Sequence, residues 1–117
     1  MVNSVKNIFC TTDILNRIVS LDSDTWTQHI IESHPEMEGH ENSIRCTIEK
    51  PEFIYESSTN PKRELFFARQ KNSAFPELYT KAVVEYNCNE GNVTTAFFCK
   101  EIKGVNPEGI KYVKFKI

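Results

Sequence analysis

The fold is decided by residues 25–40, which read TWTQHIIESHPEMEGH. The threonine that opens this stretch and the glutamine three positions later fit a capping box, in which each side chain covers a free donor of the first helical turn. Trp26 and Ile30 then fall on one face and form the apolar stripe of the predicted helix. Because proline disfavours helical geometry in the residue before it, Pro35 predicts that the helix ends at His34.

Two of the three histidines lie near the predicted end of this helix. His29 is at the edge of the apolar stripe, and His34 is at the turn out of the helix. Imidazole takes and gives protons near neutral pH, so the pair could serve as a general base and a general acid. Each also has a structural interpretation: His29 as a packed histidine bonded to the backbone, and His34 as a helix C-cap that suits the helix dipole.

The same histidines could also bind a metal. The candidate ligands lie close together in the sequence and are His29, His34, His40, Glu32 and Glu36. No pair of histidines has the four-residue spacing of an HExxH zinc site, and no cysteine joins the cluster. A metal site is therefore the less favoured hypothesis, and we expect neither a metal nor another cofactor.

Length and composition predict one domain over residues 1–117, with a modest core. Hydrophobic residues make up 39% and charged residues 26%, as in ordinary globular proteins, which argues against disorder. The formal net charge of -2 argues against a general nucleic-acid coat. Acidic residues crowd positions 22–49, but a local basic site stays open because four cations follow close together: Lys62, Arg63, Arg69 and Lys71.

The cysteines and the apolar runs of the sequence indicate the cellular compartment in which the protein is expected. The four cysteines form no CxxC pair and show no metal-like spacing: they are Cys10, Cys46, Cys88 and Cys99. No apolar run resembles a signal peptide, and none is long enough to span a membrane. We therefore expect a cytoplasmic protein with free, mostly buried thiols and no membrane partner.

The pattern of apolar residues predicts an α+β fold. A second helix is expected to begin at Asn42 or Ser43 and to run through Glu49. Ile44 and Ile48 form its buried stripe. Extended segments are expected on both sides of the helices, at residues 5–11 and 17–21 around a turn at Asn16, and then at Phe53–Ser57, 64–69, 78–86, 92–99 and 110–117. Helices followed by an antiparallel meander are typical of α+β proteins, and the last segment is expected at an edge.

Alternation along two of these strands predicts which side chains share a face. In the strand before the C-terminal tail, Val93, Thr95 and Phe97 fall on one face. In the extended segment at residues 64–69, Arg69 falls on a face that is otherwise apolar. Arg69 is therefore hard to interpret as an ordinary surface residue.

These residue types suit RNA cleavage without a metal. The reaction needs a base for the 2′-hydroxyl proton, an acid for the leaving 5′-oxygen, and cations around the charge that develops on the phosphorane. His29 and His34 would supply the base and the acid. Cations and hydrogen-bond donors for the phosphate would come from Arg69, Arg63, Lys81, Tyr55, Thr94 and Thr95. Because most small proteins contain such residues, an ion-pairing or strand-forming role is the alternative for each of them.

The order of motifs along the chain resembles one known family. The motifs are TDILNR at 12–17, Trp26, His29, His34-Pro35-Glu36, LFFAR at 65–69 and VTTAF at 93–97. In this order they are similar to the phage-type nucleases of the barnase, EndoU, colicin and RelE-like (BECR) group. The family's usual glycine in the first turn is Asn16 here, which can adopt the same left-handed geometry.

This resemblance implies N-terminal helices packed on an antiparallel sheet of about four to five strands. It implies a metal-independent, toxin-like endoribonuclease that leaves a 2′,3′-cyclic phosphate. Carried over to this chain, it assigns His29 and His34 to acid–base roles, and Arg69 and Thr95 to holding the phosphate. The expected partners are an RNA substrate and an antitoxin or immunity protein.

A second hypothesis keeps this fold without the chemistry. Several carboxylates surround the histidines and would repel RNA phosphates: Glu32, Glu36, Glu38 and Glu41. A catalytically inactive RNA- or protein-binding module of a phage or mobile element would tolerate these charges. Cleavage of RNA in the presence of a chelator would distinguish the enzyme from such a module.

Overall fold

A computed structural model describes residues 6–71 and 75–114 of the chain. Its strands, in chain order, are β1 (Asn7–Thr12), β2 (Ile18–Asp22), β3 (Phe53–Ser57), β4 (Arg63–Arg69), β5 (Tyr79–Asn87), β6 (Glu90–Cys99) and β7 (Val105–Val113). They form one seven-stranded sheet in the order β1-β2-β6-β5-β4-β3-β7. The predicted strand ends at residue 5 and at residues 115–117 lie outside the described residues.

Two helices lie between β2 and β3. The first covers residues 23–33, and a 3-10 turn and the second helix follow it. The first helix has three parts: the α-helical turn Ser23–Thr25, the π-helical turn Trp26–Ile30 and the α-helical turn Ile31–Ser33. The 3-10 turn is Pro35–Met37, and the second helix is Glu41–Glu49. Within the described part of the chain, no helix has the length and apolar character needed to cross a bilayer.

The expectation of helices packed on an antiparallel sheet of about four to five strands is wrong. The chain is mostly sheet, and the sheet is mixed because β2 and β6 run parallel. The β1–β2 hairpin adds two strands at one edge, and β7 adds one at the other edge by pairing with β3. Local patterns predicted these segments as extended, but strand pairing is a long-range choice that periodicity does not encode. The edge position of the C-terminal strand is as predicted, although it begins at Val105.

The ends of the helices show what the sequence predicted well and what it missed. The first helix begins earlier than predicted, because Asp22 is the N-cap and accepts a 2.6 Å hydrogen bond from the N–H of Thr25. The predicted capping box of Thr25 and Gln28 is therefore wrong. The predicted end is confirmed: His34 leaves helical geometry with φ of -137°, and Pro35 opens the 3-10 turn.

The turn between β1 and β2 is built as the sequence predicts. Asn16 adopts a left-handed conformation with φ of 66°. The Asp13 carboxylate accepts hydrogen bonds of 2.9 Å from the backbone N–H groups of Leu15 and Arg17. The side chain of Asp13 therefore closes the turn by bonding to the following backbone.

A buried charge network fixes this turn to the centre of the sheet. Arg17 donates from Nε to Asp13 at 2.9 Å and from both Nη atoms to Glu64 on β4 at 2.8 Å. Tyr86 on β5 donates a 2.7 Å hydrogen bond to Asp13, and the Arg17 guanidinium lies 3.9 Å from its ring centroid. Burial raises the pKa of Tyr86, and the hydrogen bond to Asp13 raises it further, so Tyr86 is a neutral donor at physiological pH. The network thus joins the hairpin to β4 and β5.

The main core lies between the helices and one face of the sheet, the helix face. The predicted apolar stripes are confirmed, because Trp26 and Ile30 of the first helix and Ile44 and Ile48 of the second are buried. The sheet contributes Val19, Leu21, Ile54, Phe66, Val84, Val93 and Ala96 to the same cluster. This burial supplies the main hydrophobic stabilisation of the fold.

The opposite face of the sheet, the open face, carries a second and smaller cluster. Its buried members are Leu65, Phe67 and Val83. The connection from β6 to β7, residues 100–104, crosses this face and is called the strap. Ile102 packs against the cluster, and the carbonyl of Gly104 accepts a 2.9 Å hydrogen bond from the N–H of Ser58. The strap therefore covers only part of the open face.

Replacing Arg17 with methionine is expected to lower the free energy of unfolding by about 3–5 kcal/mol, because Asp13 and Glu64 lose their counter-charge while buried. Urea denaturation at neutral pH measures the loss. Arg45→Met is the matched control, since Arg45 pairs with Glu49 at the surface, where an ion pair contributes about 0–1 kcal/mol. Equal losses in the two variants would contradict the role of the network.

Glu49 is expected to make stability depend on pH. Hydrogen bonds from the hydroxyl of Thr11 and the guanidinium of Arg45 lower the pKa of Glu49. A carboxyl group with a lowered folded-state pKa stabilises the fold above its unfolded pKa, and this contribution is lost as pH falls through the folded pKa. Thr11→Val should raise the pKa of Glu49 in an NMR titration and reduce the loss of stability in acid. Thr12→Val, at the exposed neighbouring position, should leave that pKa unchanged; an unchanged pKa in both variants would refute the link.

Candidate functional site

A β-bulge in β6 shapes the candidate site. Val84 pairs with Val93, whereas Val83 pairs with Thr95, so Thr94 is the extra residue. Because directly paired residues share a face, Val93 joins the main core and Thr95 lies on the open face beside Val83. The predicted alternation, with Val93 and Thr95 on one face, is therefore wrong at Val93.

The bulge forms one wall of an open cavity of about 360 Å³, which we call the His29 cavity. The lining residues come from the first helix and from the ends of β4 and β6 that lie near it: Thr25, His29, Arg63, Asn92, Val93, Thr94 and Thr95. Residues far apart in the sequence thus meet here. The cavity brings together four of the residues predicted for the site: His29, Arg63, Thr94 and Thr95.

His29 is exposed at the wall of this cavity. The alternative of a packed histidine, bonded to the backbone in the core, does not describe this position. An exposed imidazole is accessible to water and to a bound ligand. His29 can therefore act on a group placed in the cavity.

The π-helical turn affects where the two histidines lie. The backbone N–H of Ile31 bonds to the carbonyl of Trp26, five residues back. In a regular α-helix, His29 and His34 would diverge by about 140° around the axis. The extra residue in the π-helical turn and the non-helical backbone of His34 change this relation. In the structure, His29 lines the cavity beside β6, and His34 contacts Phe97 of the same strand.

His34 lies next to the His29 cavity but does not line it. Its imidazole stacks on Phe97, with ring centroids 4.7 Å apart and an angle of 25° between the planes. Its Nδ1 lies 3.4 Å from a carboxylate oxygen of Glu36, and 31% of its side chain is exposed. Phe97 follows Thr95 on the same face of β6, at a spacing of roughly 7 Å along the strand.

The polar groups around the His29 cavity differ in whether they already make hydrogen bonds within the protein. Arg63 donates a 3.0 Å hydrogen bond from Nε to Glu85, and both side chains are more than two-fifths exposed. Among the described residues, no acceptor bonds the Nη groups of Arg63. The hydroxyl of Thr94 donates to the carbonyl of Val83 at 3.2 Å. The hydroxyl of Thr95 has no hydrogen-bond partner in residues 6–71 and 75–114, so Arg63 and Thr95 can both donate to a ligand.

Arg69 lies away from this group, at the other end of β4. It donates a 2.8 Å hydrogen bond from Nη2 to Glu52, and its guanidinium lies 5.0 Å from the ring centroid of Tyr79. The hydrogen bonds that it donates to Glu52 raise the pKa of Arg69. Register and strand spacing put roughly 17 Å between the Cα atoms of Arg69 and Thr95. Arg69 lines a separate cavity of about 410 Å³ with Lys50, Glu52, Lys71, Pro76 and Lys114.

Tyr55 and Lys81 are on the open face but outside the His29 cavity. Tyr55 packs edge-on against Phe67, with centroids 6.4 Å apart. Lys81 donates a 2.9 Å hydrogen bond to the carbonyl of Lys103 in the strap, and burial lowers the pKa of Lys81. It lines a cavity of about 430 Å³, which we call the strap cavity, together with Phe97, Cys99, Lys100, Glu101 and Lys103.

The histidines and cysteines do not assemble into a metal site. In residues 6–71 and 75–114, no three His, Cys, Asp or Glu side chains are close enough to hold a metal ion. His40 packs edge-on against Phe98, with centroids 5.3 Å apart. The expectation of mostly buried thiols is wrong, because three of the four free cysteines are exposed and only Cys99 is half-buried.

Sequence reasoning missed Thr25, Asn92 and Phe97 as parts of this region. The sequence indicates a helix cap for Thr25 and only the start of a strand for Asn92. Asn92 pairs with Glu85, which pairs with Arg63, so its place near the cavity depends on three strands in register. The only local signal was the alternation that put Phe97 on the same face as Thr95.

Comparisons with family models, curated proteins and solved structures find no match for the chain. The resemblance to the BECR nucleases therefore stays a prediction made from motifs.

The stacked pair predicts a specific NMR response. Because the imidazole of His34 lies over the ring of Phe97, its carbon-bound protons are shielded by the ring current. Phe97→Leu should move the His34 proton resonances downfield and leave those of His40 unchanged. Phe98→Leu is the matched control and should affect His40 alone, since Phe98 contacts His40. No response of His34 to Phe97→Leu would contradict the stacking.

Proposed function

We propose that the protein is a metal-independent endoribonuclease that cleaves RNA in the His29 cavity. The observation that carries the proposal is the meeting of His29, Arg63 and Thr95 around one open cavity. A proton-transfer group, a guanidinium and a hydroxyl are the groups that phosphodiester cleavage by general acid–base catalysis requires. The motif order that resembles the BECR nucleases supports the same chemistry.

Cleavage on this proposal uses the 2′-hydroxyl of the RNA as the nucleophile. One histidine removes the hydroxyl proton while the 2′-oxygen forms a bond to phosphorus. The bond from phosphorus to the 5′-oxygen breaks, and the other histidine gives a proton to that oxygen. The products are a 2′,3′-cyclic phosphate and a free 5′-hydroxyl. His29 lines the cavity, and His34, oriented between Phe97 and Glu36, makes the complementary transfer.

Arg63 takes the phosphate-binding role on this proposal. Guanidinium groups bind two phosphate oxygens at once, which makes arginine suited to the charge of the phosphorane. The ion pair of Arg63 with Glu85 is largely exposed and contributes about 0–1 kcal/mol, so a phosphate can replace Glu85. Thr95 adds a hydroxyl donor. Arg69 is bound to Glu52 in a separate cavity and takes no part in cleavage.

The same proposal places the protein in the cytoplasm and pairs it with an inhibitor. Exposed free thiols at Cys10, Cys46 and Cys88 suit a reducing compartment, where disulfides rarely form. A ribonuclease acting on cytoplasmic RNA is toxic to the cell that makes it. An antitoxin or immunity protein that covers the open face would neutralise it.

Substitutions in the His29 cavity test the enzyme. His29→Ala, His34→Ala and Arg63→Ala are each expected to lower kcat/KM on an RNA oligonucleotide by about 100-fold or more, because each removes a proton-transfer group or a phosphate ligand. Arg69→Ala is the matched control and should retain activity. The assay runs in excess chelator, and mass spectrometry should detect a 2′,3′-cyclic phosphate product.

Three results would overturn the proposal. Activity that survives in all three cavity variants would place the chemistry elsewhere. Activity that is lost in chelator would indicate a metal enzyme. RNA binding without cleavage would support the inactive binding module instead. An oligonucleotide made of DNA should not be cleaved, because it lacks the 2′-hydroxyl.

A further inference from the structure

The strap cavity adjoins the His29 cavity on the open face. Thr95 lines the first cavity and Phe97 lines the second, and the two-residue step between them along β6 is roughly 7 Å. His34 connects the two regions, because it follows the helix that carries His29 and stacks on Phe97. A single strand of polynucleotide that lies along β6 can therefore occupy both cavities.

The charge of the strap cavity suits a phosphate. Three lysines, Lys81, Lys100 and Lys103, face one carboxylate, Glu101, which gives the lining a net charge of +2. Glu101 pairs with Lys103 at 3.2 Å. Within residues 6–71 and 75–114, Lys81 and Lys100 have no carboxylate partner, so two ammonium groups can bind an anion.

Lys81 is the better fixed of these two ammonium groups. It donates one of its three N–H bonds to the carbonyl of Lys103, which leaves two donors for a ligand. Its Nζ lies 5.2 Å from the ring centroid of Phe97 and 5.7 Å from that of Phe67. Burial lowers the pKa of Lys81 because the ammonium is partly removed from water, and a bound anion would offset that cost.

Phe97 supplies an apolar wall beside these cations. Its ring lines the cavity and is held by the stacked imidazole of His34. Bases of single-stranded nucleic acids pack on such rings without regard to sequence, because every base has a π-face. A cation pair next to an aromatic ring is the combination that binds single strands.

We propose that the strap cavity is a second subsite for single-stranded RNA and holds the nucleotide one position beyond the two that the cleaved phosphodiester joins. The base of that nucleotide packs against Phe97, and its phosphate binds Lys81 and Lys100. The inference rests on the proposed function for the identity of the ligand. It concerns a separate cavity, because neither His29 nor Arg63 lines it.

The test uses RNA that cannot be cleaved. Labelled 2′-O-methyl dinucleotides and tetranucleotides are titrated with the full chain at low, fixed salt, and fluorescence anisotropy gives each Kd. The tetranucleotide should bind more tightly. Phe97→Leu and Lys100→Glu should each weaken tetranucleotide binding by about tenfold, while Lys100→Glu changes dinucleotide binding by less than about twofold.

Lys111→Glu is the matched control, because it makes the same charge change at an exposed position of β7. Lys111→Glu should still bind the tetranucleotide more tightly than the dinucleotide. An equal loss in Lys111→Glu, equal affinity for the two lengths, or no binding of either oligonucleotide would overturn the subsite. Near-UV circular dichroism checks that Phe97→Leu is folded.

The two proposals fail in different ways. Binding of the tetranucleotide through Phe97 and Lys100, without cleavage of cleavable RNA, would support the subsite and contradict the enzyme. Cleavage of RNA together with equal affinity for the two lengths would support the enzyme and contradict the subsite.

Discussion

The structure depends on keeping one half-buried guanidinium, that of Arg17, paired with the buried carboxylates of Asp13 and Glu64. A buried charge is tolerated only when opposite charges and hydrogen bonds replace its lost hydration. Here Asp13 comes from the same turn, while Glu64 and Tyr86 come from the central strands β4 and β5. The pairing therefore fixes the β1–β2 hairpin to strands that lie far away in the sequence. Because β2 runs directly into the first helix, the same contacts also set where that helix begins along β6.

Two local irregularities then give the site its shape. The π-helical turn takes one residue more than an α-helical turn would, and the bulge in β6 does the same for a strand. The first changes the relation of His29 to the end of the helix. The second sends Val93 into the core and leaves Thr95 on the open face. Both features lie beside the His29 cavity, and π-helical turns and β-bulges are frequent at functional sites.

Much of the local structure could be predicted from the sequence, and most of its assembly could not. Pro35 ends the first helix, Asn16 takes the left-handed turn, and Phe53–Ser57 is a strand with the predicted bounds, because neighbouring residues settle these features. The width of the sheet depends on pairings between distant strands, so helices on a narrow sheet were predicted instead. The same reason explains the site. Arg69 shares its face with apolar residues, as predicted, but its pairing with Glu52 could be seen only after β3 and β4 were in register.

The proposed function requires a chain with a net charge of -2 to attract RNA, and the uneven charge of the open face is compatible with that requirement. At physiological ionic strength, exposed charges act over about 8–10 Å, so a ligand responds to the local surface rather than to the net charge. On the helix side of Phe97, Glu36 lies beside His34. On the strap side, Lys81 and Lys100 line the strap cavity. On the proposed function, a polynucleotide would be repelled from the end of the helix and drawn toward the strap. Binding from the strap side would place its backbone along β6, where Thr95 and His29 come next.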